Sequence, residues 1–472
     1  MKARIVAVLV AILVTVAALG AYLYLSSPSP TNISVAPGNT TCPTTSPGAP
    51  SPGNRSEVYG NWTTYHADNS RSGNEASAVT GTPRLGWAAP TTLDGQVYAE
   101  PLVCGNTVIV ATESDSVYAI NASSGAVDWK TTLGTPVAGA SLPCGDIDPS
   151  GITGTPVVDT ATQTLYVVAF LSSLQHVLFA VNLGNGSVQS QTVVDPLGAD
   201  PTIEQQRGAL ALSNGVVYIP YGGLDGDCGA YHGWIVGVRT DGSGGLLSYQ
   251  VPTGRAGGIW APAGITVLPN GDLLVATGNS DATVTFDYGD SVLELSSSLQ
   301  LIDYFAPTNW AQLNSGDTDL GSVAPTILPS GDVFQIGKEG VGFLLSGSAL
   351  GGIGGQLFSA SVCSASFGGT AHSGSSVFVP CVDGLYREDV AGSSFATVWQ
   401  TTAFDAGPPV VTGSVVWTVD IGGATLLGFN ITNGQPLYSF PLGSVDHFVT
   451  PAAAPGWLYV GAGSQLYAFA LS

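Results

Sequence analysis

Positively charged side chains are scarce in this chain, and several of them stand in its longest polar segments. The sequence has eleven Lys and Arg, of which Lys2 and Arg4 precede the first apolar run. Arg207, Arg255 and Lys338 lie in or beside segments that are longer than the surrounding repeats require. Guanidinium and ammonium groups are the usual partners of carboxylates and other anions. The placement of these three cations therefore indicates an anionic ligand.

The motifs of several common enzyme classes are missing. The sequence has no H-E-x-x-H, no G-x-S-x-G and no phosphate-binding glycine loop with P-loop spacing. The segment GDIDPSG from Gly145 has spaced carboxylates that suit Ca²⁺, but it lacks the twelve-residue EF-hand pattern. Any chemistry must therefore come from residues that the fold brings together.

Eight strand pairs recur along the chain, and they predict that fold. Strand pairs with a repeat of this length are typical of propellers, in which four strands make one blade. We therefore predict an all-β fold, an eight-bladed β-propeller of four-stranded antiparallel blades. The second strands of the pairs begin at Val117, Leu178, Trp234, Ser291, Gly342, Leu385, Leu426 and Gln465.

The last repeat has no room for an outer strand, because the sequence given ends at Ser472 directly after YAFALS. A strand-like stretch, RLGWAAPTTLDG from Arg84, precedes the first repeat. We expect this stretch to complete the eighth blade, which would leave no open sheet edge.

The composition is that of an acidic β-protein. Charged residues make up 9% of the chain and the net charge is -22, whereas roughly 25% charged residues is usual. Because phosphate binding needs a basic surface, nucleic acid is excluded as a partner. An acidic medium would suit such a protein, since few of its carboxylates would then be ionised.

The first residues predict a membrane anchor. Lys2 and Arg4 precede a charge-free apolar run over 5–25, long enough to cross a bilayer as a helix. We predict an anchor over 1–25, a disordered Ser/Pro/Thr-rich linker over 26–58 and the propeller over 59–472. The predicted location is the cell membrane, single-pass, with the propeller outside. The alternative is a cleaved signal peptide and a secreted protein.

Six cysteines, none in C-x-x-C spacing, favour disulfides over zinc or redox chemistry. Cys363 and Cys381 fall in neighbouring strands of one repeat, and we predict that they pair. The pairing of the other four stays open.

Three segments carry a resemblance to a known family. ASSGAVDW (122–129), GGIWAPAGITVLPNGDLLVATGNSD from Gly257 and DTDLGSVAPTILPSGDVFQIGKEG from Asp317 resemble the propeller repeats of pyrroloquinoline-quinone (PQQ) proteins, the quinoprotein alcohol dehydrogenase-like superfamily. In that family a Trp of one blade packs onto the next blade. The resemblance covers the chain from about Asn61 to its end and implies the propeller fold.

The resemblance also implies a site. Trp260 corresponds to the Trp beneath the quinone, and Asn279 to an Asn that binds calcium. Asp319 or Asp317 corresponds to the catalytic base, and Lys338 to the cation that faces the quinone oxygens. Each position has a structural alternative: a blade-docking Trp, a Gly-Asn turn, an Asp-capped turn and a solvated lysine.

The remaining predicted site residues are the other two cations noted above and the carboxylates that the comparison suggests. Arg207 and Arg255 would bind the carboxylates of PQQ, and Asp227 and Asp319 would join the Asn as calcium ligands. The chain also departs from the alcohol-oxidising members. Asp227 and Cys228 stand where those members have a ligating Glu, and the sequence has no adjacent Cys pair. His232 in the same segment is expected to be structural rather than a base.

Two functions are therefore expected. The first is a membrane-anchored extracellular propeller that acts as a scaffold and binds an unidentified protein or small molecule on its loop face. The second is a PQQ- and Ca²⁺-dependent dehydrogenase that oxidises an alcohol or sugar at the cell surface. An enzyme requires the Trp, the Asn, the Asp pair and the Lys to converge at one end of the channel. A monomer is expected in either case.

Overall fold

Eight blades close into a ring around a central channel. The computed structural model describes residues 32–34, 42, 61–87 and 90–472, and its sheets form eight antiparallel blades. The prediction of an eight-bladed β-propeller is confirmed, and every predicted strand pair is present as a hairpin.

The four strands of each blade run outward from the channel. The inner strands of blades 1 to 8 are Leu102–Cys104, Val157–Asp159, Ala211–Ser213, Thr266–Val267, Thr326–Ile327, Ala371–Ser373, Val410–Thr412 and Ala452–Ala454. The second strands are Thr107–Thr112, Thr164–Leu171, Val216–Gly223, Leu273–Ala276, Val333–Gln335, Ser376–Cys381, Val415–Asp420 and Trp457–Ala462. The third strands are Ser116–Asn121, Gln175–Asn182, Trp234–Arg239, Val292–Leu295, Val341–Leu345, Gly384–Ala391, Thr425–Asn430 and Gln465–Ala470. The outer strands of blades 1 to 7 are Val127–Thr132, Val188–Val193, Leu247–Gln250, Leu301–Ala306, Phe358–Ser361, Ser394–Gln400 and Pro436–Pro441.

Short elements complete the described part of the chain. The additional strands are Asn32–Ser34, Asn61–Trp62, Asn74–Glu75, Arg84–Leu85, Thr91–Thr92, Glu204–Gln205 and Gly352–Ile353. A short α-helix spans Trp310–Gly316, and 3-10 turns span Gly139–Ser141 and Leu320–Ser322.

Burial changes from the channel to the rim. The second strand of blade 1, Thr107–Thr112, is buried at every position, because neighbouring blades cover both of its faces. The outer strand of blade 5, Phe358–Ser361, alternates between half-buried and exposed residues. In the sequence, strands that are buried on both faces appear as continuous apolar runs, whereas outer strands alternate apolar and polar residues.

Tryptophans on the outer strands of blades 1 and 6 dock these two blades onto the next, as the family resemblance implies. Trp129 of blade 1 donates its indole N–H to the Leu183 carbonyl of blade 2 at 2.9 Å. Its ring lies against Gly186, where a Cβ would come within 2.5 Å of the indole. Trp399 of blade 6 packs in the same way on Gly434 of blade 7. Glycine is required in these turns because the ring occupies the place of a side chain.

The ring closes with strands from both ends of the chain. Arg84–Leu85 pairs antiparallel with Phe469 and Ala470 of the third strand of blade 8, and Thr91–Thr92 pairs with the same strand. The Arg84 guanidinium also donates to the Ser472 carbonyl at 2.6 Å. The predicted completion of the eighth blade is confirmed.

Residues 61–75 form a strap that follows the channel wall from blade to blade. The strap begins as Asn61–Trp62, which pairs with the inner strand of blade 1, and ends as Asn74–Glu75, which pairs with that of blade 7. Between these ends the backbone carbonyls of Thr63, Asn69, Ser70 and Ser72 accept N–H groups from the inner strands of blades 2, 4, 5 and 6. The strap therefore satisfies inner-strand groups that would otherwise face an open channel.

Arg71 fastens the strap from inside. Its side chain is fully buried, and it donates to the carbonyls of Tyr65, Leu210 and Ile265 at 3.0, 3.2 and 2.6 Å. Burial lowers the pKa of this guanidinium to about 10, so it stays charged at neutral pH. A buried charge is tolerated where hydrogen bonds replace its lost hydration.

Three disulfides join parts of the ring. The predicted Cys363–Cys381 bond is present, and the other two bonds are Cys144–Cys228 and Cys42–Cys104. Cys42 lies within the predicted linker, and the strand Asn32–Ser34 pairs with the outer strand of blade 1. At these two places the structure puts residues of the predicted linker in contact with the ring.

Within the described part of the chain, no helix has the length and apolar character needed to span a bilayer. The predicted anchor over 1–25 lies outside the described residues, as does most of the predicted linker over 26–58.

Replacing Arg71 tests the role of the strap. Arg71→Met should lower the free energy of unfolding by about 3 kcal/mol or more, because several buried carbonyls lose their donor. Urea unfolding followed by Trp fluorescence measures the change. Arg239→Met, at an exposed arginine, is the control and should cost less than about 0.5 kcal/mol. Equal effects of the two substitutions would contradict a structural role for the strap.

Buried carboxyl groups predict a pH dependence of stability. Burial raises the pKa of Glu113 and Glu388 to about 7 and that of Glu204 to about 8. The folded state therefore keeps protons that the unfolded chain loses above its ordinary glutamate pKa, so stability falls as pH rises toward 8. Calorimetry should give a melting temperature roughly 5 °C or more higher at pH 5 than at pH 8. Glu388→Gln should reduce this difference, and Glu339→Gln, a control at a half-buried loop residue, should not.

Candidate functional site

The predicted site residues meet on one face of the ring. The upper face is formed by the loops that join second to third strands and by those that lead into inner strands. Between blades 3, 4 and 5 these loops enclose a cavity of about 340 Å³, named here the polar cavity. Its lining residues are Gln205, Arg207, Gly223, Leu224, Asp225, Gly226, Asp227, Tyr231, Trp260, Asn279, Asp317, Asp319 and Lys338.

The structure thus brings together seven of the eight predicted site residues. Arg255 is the exception, because its side chain does not line the polar cavity. It donates to the Gly229 carbonyl at 2.7 Å and to the Asp227 carbonyl, and it pairs with Asp281 at 3.2 Å. Its guanidinium also lies 5.6 Å from the ring centre of Tyr231. Arg255 therefore supports the loop of blade 3 and does not line the cavity.

Trp260 lies in the loop that leads into the inner strand of blade 4. It is half-buried, and the Lys338 ammonium lies 5.6 Å from its ring centre. Unlike Trp129 and Trp399, it is not on an outer strand. Its indole nitrogen would lie 3.0 Å from a Cβ at Gly278, so the backbone of blade 4 approaches it closely. Trp260 therefore lines the polar cavity with the Lys338 ammonium beside its ring.

Asp319 is a buried carboxylate held from several sides. Its residue is 3% exposed. Oδ1 accepts the backbone N–H of Asn279 at 2.7 Å, and Oδ2 lies 2.5 Å from Lys338 Nζ. Burial raises the pKa of Asp319, and the nearby lysine and amide act against that rise. Leu320 donates its N–H to the buried Asp290 at 2.8 Å, which fixes the backbone beside the carboxylate.

Asp317 and Asp319 have different surroundings. Asp317 ends the helix Trp310–Gly316 in a left-handed conformation, with 64% of its side chain exposed. Lys338 lies 3.1 Å from its Oδ1 and bridges the two carboxylates. Burial lowers the pKa of Lys338, but the two carboxylates outweigh burial and raise it overall. Of the two candidate bases, Asp319 is the one that the protein orients.

Asn279 and Asp227 face the cavity from neighbouring blades. The backbone of Asn279 is fixed, since its N–H binds Asp319 and its carbonyl accepts the N–H of Gly257 at 2.8 Å. The Asp227 carboxylate accepts the Tyr231 hydroxyl at 2.6 Å. His232, expected to be structural, does not line the cavity. Its Nδ1 lies 3.4 Å from the hydroxyl of Thr253.

Arg207 is the strongest sign of a missing partner. Its Nε and Nη2 are buried without a hydrogen-bond partner, and the nearest carboxylate oxygen, on Asp146, is 3.7 Å from Nη2. Burial lowers the pKa of this guanidinium. Buried unpaired donors are costly and rare. Arg207 also lines the polar cavity, so its positive charge is available to an anionic ligand bound there.

Three aromatic rings meet at the centre of the upper face. Trp260 lies 6.4 Å from Phe367 and 6.3 Å from Phe448, and the two phenylalanines lie 6.1 Å apart. We name these rings the aromatic triangle. Tyr65 of the strap is fully buried and donates or accepts a hydrogen bond with Thr450 at 3.1 Å.

Sequence reasoning missed the two phenylalanines. A usable signal existed, because each stands four residues before an inner strand, in the type of loop that also carries Trp260.

The donors of the polar cavity fit an anionic, planar ligand better than a divalent cation. Trp260 supplies the flat face, and Arg207 and Lys338 supply positive charge. Asp319 and the side chain of Asn279 are oxygen donors of the kind that Ca²⁺ prefers. Both Asp319 oxygens already have donors, however. Among the described residues, three His, Cys, Asp or Glu ligand atoms come within 4.8 Å of one another only at Cys363, Cys381 and Asp383, where the cysteines are disulfide-bonded.

Comparisons with known proteins support the fold. A family model of PQQ-like repeats, described as outer membrane protein assembly factor BamB, matches residues 66–288. Among curated proteins nothing matches. Among solved structures, quinohemoprotein alcohol dehydrogenase ADHIIG from Pseudomonas putida HK5 is similar with a TM-score of 0.67 and 14% identity, covering 87% of this chain and 80% of that chain.

Two further structures are similar. A europium-containing methanol dehydrogenase has a TM-score of 0.65 and 14% identity, covering 87% of this chain and 98% of that chain. BamB from Moraxella catarrhalis has a TM-score of 0.55 and 12% identity, covering 82% of this chain and 100% of that chain. Residues 66–288 therefore match a PQQ-like repeat family, and the whole propeller shares its fold with these solved structures.

The ion pair of Lys338 and Asp319 gives a direct test of the site's geometry. Lys338→Gln should lower the free energy of unfolding by about 2 kcal/mol, because it leaves a buried carboxylate without its counter-charge. Lys130→Gln is the matched control. Its pair with Asp94 is 2.6 Å long, but both side chains are more than a fifth exposed, so the cost should be about 1 kcal/mol or less. Urea unfolding of both variants measures the two losses of unfolding free energy. A larger loss in Lys130→Gln would contradict the described geometry.

Proposed function

We propose that the protein is a PQQ-dependent dehydrogenase that oxidises an alcohol. The observation that carries this proposal is Asp319, a buried carboxylate fixed by Lys338 and the Asn279 amide beside the face of Trp260. Fixed, partly neutralised carboxylates of this kind are typical of general bases.

PQQ would bind in the polar cavity. Trp260 would support its planar ring system, and Arg207 and Lys338 would pair with its carboxylates and carbonyl oxygens. When bound, PQQ would accept the hydride that leaves the alcohol carbon.

The protein's own part is to move a proton. Asp319 would accept the hydroxyl proton of the substrate at one of its carboxylate oxygens. Lys338 would keep that carboxylate ionised until the substrate arrives, because its ammonium favours the negative form. The backbone N–H of Asn279 would hold Oδ1 of Asp319 in place, so that the other carboxylate oxygen faces the substrate.

The proposed location is an oxidising compartment outside the cytoplasm. All six cysteines are paired in three disulfides, and disulfides persist mainly in such compartments. An N-terminal anchor over 5–25 would hold the propeller at the cell membrane, where an extracellular substrate would have access to the upper face.

A second proposal is a scaffold without catalysis, which binds a protein or small molecule on the upper face. The observation that favours it is the network of Asp319 itself, in which both oxygens already have donors and no divalent cation is needed. The likeness to BamB from Moraxella catarrhalis supports this alternative at the level of the fold.

Titration with PQQ separates the two proposals. The full chain should bind PQQ with micromolar affinity, measured by heat and by quenching of Trp fluorescence, with and without Ca²⁺. Arg207→Met should weaken binding about tenfold or more, because charge-assisted hydrogen bonds are lost. Arg239→Met, at an exposed arginine outside the cavity, should leave the affinity unchanged.

Asp319 is tested by turnover rather than binding. Asp319→Asn should still bind PQQ but reduce an electron-accepting dye with alcohols at least a hundredfold more slowly, since the base is lost. Asp332→Asn, at a half-buried residue after a turn and outside the polar cavity, is the control and should retain full activity. A folded protein that binds no PQQ would rule out the dehydrogenase and leave the scaffold proposal.

A further inference from the structure

A turn of blade 1 buries two carboxyl groups that stand two residues apart. Residues 113–115 join the second strand of this blade to its third strand on the upper face. Glu113 is 1% exposed and Asp115 is 0% exposed. Neither residue lines the polar cavity, which lies between blades 3, 4 and 5. The turn is therefore a separate place on the same face of the ring.

Three of the four carboxyl oxygens in this turn have no hydrogen-bond partner among the described residues. They are Glu113 Oε1 and both oxygens of Asp115. The fourth, Glu113 Oε2, accepts the backbone N–H of Gly151 at 2.6 Å. None of the ion pairs in the described part of the chain includes Glu113 or Asp115. Burying such groups without a donor or a counter-charge is costly, so these oxygens require a partner.

Gly151 leaves room for the oxygens of this turn. It belongs to the loop that leads into the inner strand of blade 2. A Cβ at this position would lie 2.4 Å from the carbonyl oxygen of Glu113 and 2.7 Å from Oδ1 of Asp115. A backbone oxygen and a carboxyl oxygen therefore converge on the place where any other residue would put its side chain. The Glu113 carboxylate is held at the same residue by its bond to the Gly151 N–H.

Blade 4 has an aspartate at the matching position, where the backbone supplies a donor. Asp115 and Asp290 each precede a Ser-Val pair and have positive φ values of 54° and 48°. Asp tolerates this left-handed conformation, which accounts for the backbone of both turns. Oδ1 of Asp290 accepts the N–H of Leu320 from the loop of the next blade at 2.8 Å, whereas neither oxygen of Asp115 has such a donor. The turn conformation therefore does not explain the unpaired carboxyl group of Asp115.

We infer that the carboxylates of Glu113 and Asp115, with the Glu113 carbonyl, bind a Ca²⁺ ion that joins blade 1 to blade 2. The ligand atoms are all oxygens, as Ca²⁺ prefers, and none is the sulfur or nitrogen that is typical of zinc sites. Ca²⁺ accepts irregular sets of carboxylate and carbonyl oxygens, whereas Mg²⁺ loses its water reluctantly and suits a buried site poorly. The ion supplies the positive charge that the two carboxylates lack. This site does not depend on the proposed dehydrogenase.

The pKa values of the two acids agree with this assignment. Burial raises the pKa of Asp115, and the nearby Glu113 raises it further. Burial also raises the pKa of Glu113 to about 7, although the amide of Gly151 acts against that rise. Without a cation the turn therefore holds protons near neutral pH, and Ca²⁺ has to displace them. Binding is best measured at pH 8, where protons compete less.

Thermal unfolding with and without Ca²⁺ tests the site. The full chain is treated with EGTA, dialysed at pH 8 without PQQ, and melted in a calorimeter with no divalent cation, with Ca²⁺ or with Mg²⁺. Ca²⁺ at about a hundred times its dissociation constant should raise the melting temperature by roughly 3 °C or more. Mg²⁺ at the same concentration should raise it by less than about 1 °C. Elemental analysis of the dialysed protein counts the bound ions.

Three variants locate the ion. Asp115→Asn keeps the size of the side chain and suits the left-handed turn, but it should bind one Ca²⁺ fewer per chain and lose most of the thermal response. In EGTA it should melt no lower than the wild type, because an unpaired buried carboxyl group is removed. Asp290→Asn makes the same change in blade 4, and Asn279→Ala removes a candidate calcium ligand of the polar cavity. Both of these controls should keep the ion and the response of blade 1.

Each outcome decides the inference. A response to Ca²⁺ in the wild type and both controls, with one ion fewer and a reduced response in Asp115→Asn, supports the site. No response in the wild type, an equal response to Mg²⁺, or an unchanged ion count in Asp115→Asn overturns it. If Asp115→Asn does not fold, Glu113→Gln is measured in its place and judged in the same way. Binding of PQQ, measured separately, tests the proposed dehydrogenase and leaves this result unaffected.

Discussion

The hydrogen bonds between the strap and the inner strands are the constraint on which the rest of the molecule depends. An eight-bladed ring leaves a channel that is lined by the short inner strand of each blade. The second strand cannot satisfy all of the backbone N–H and C=O groups of that inner strand. Residues 61–75 supply the missing donors and acceptors in blade order, and Arg71 ties the strap to carbonyls of the wall. The same segment then continues to Arg84–Leu85, which closes the ring.

The strap also shapes the upper face. Tyr65 is surrounded by small residues of the inner-strand loops, Ala209, Ala261, Ala263 and Ala324, and its hydroxyl reaches Thr450. The loops that carry Trp260 and Phe448 therefore rest on a filled channel rather than on an open one. A rigid support of this kind lets Phe448 keep a strained φ of 67° and lets a buried ion pair persist, because neither can relax into empty space.

The sequence predicted the features that repeat and missed those that occur once. The hairpins and the eighth blade follow from local patterns, since period-two apolar runs can be recognised within one repeat. The Cys363–Cys381 bond was predicted within one repeat, but it joins the segment after the outer strand of blade 5 to the second strand of blade 6. The meeting of Asp319 with Lys338 could be predicted only through the family resemblance, because no local spacing places the two loops side by side. The strap could not be predicted at all. It has no periodic pattern, and the partners of Arg71 are backbone carbonyls, which have no signature in a sequence.

The pairing of Arg84–Leu85 with Phe469 and Ala470 has a consequence for biosynthesis. These partners are separated by almost the whole propeller, so the closing contact has a very high sequence separation and must form late in folding. A chain that emerges N-terminus first presents its strap and its closing strand long before their partners exist. Until the last hairpin is made, both carry unpaired edges that can aggregate. Successful production therefore depends on keeping the first hundred residues from pairing with other chains while the remaining blades are completed.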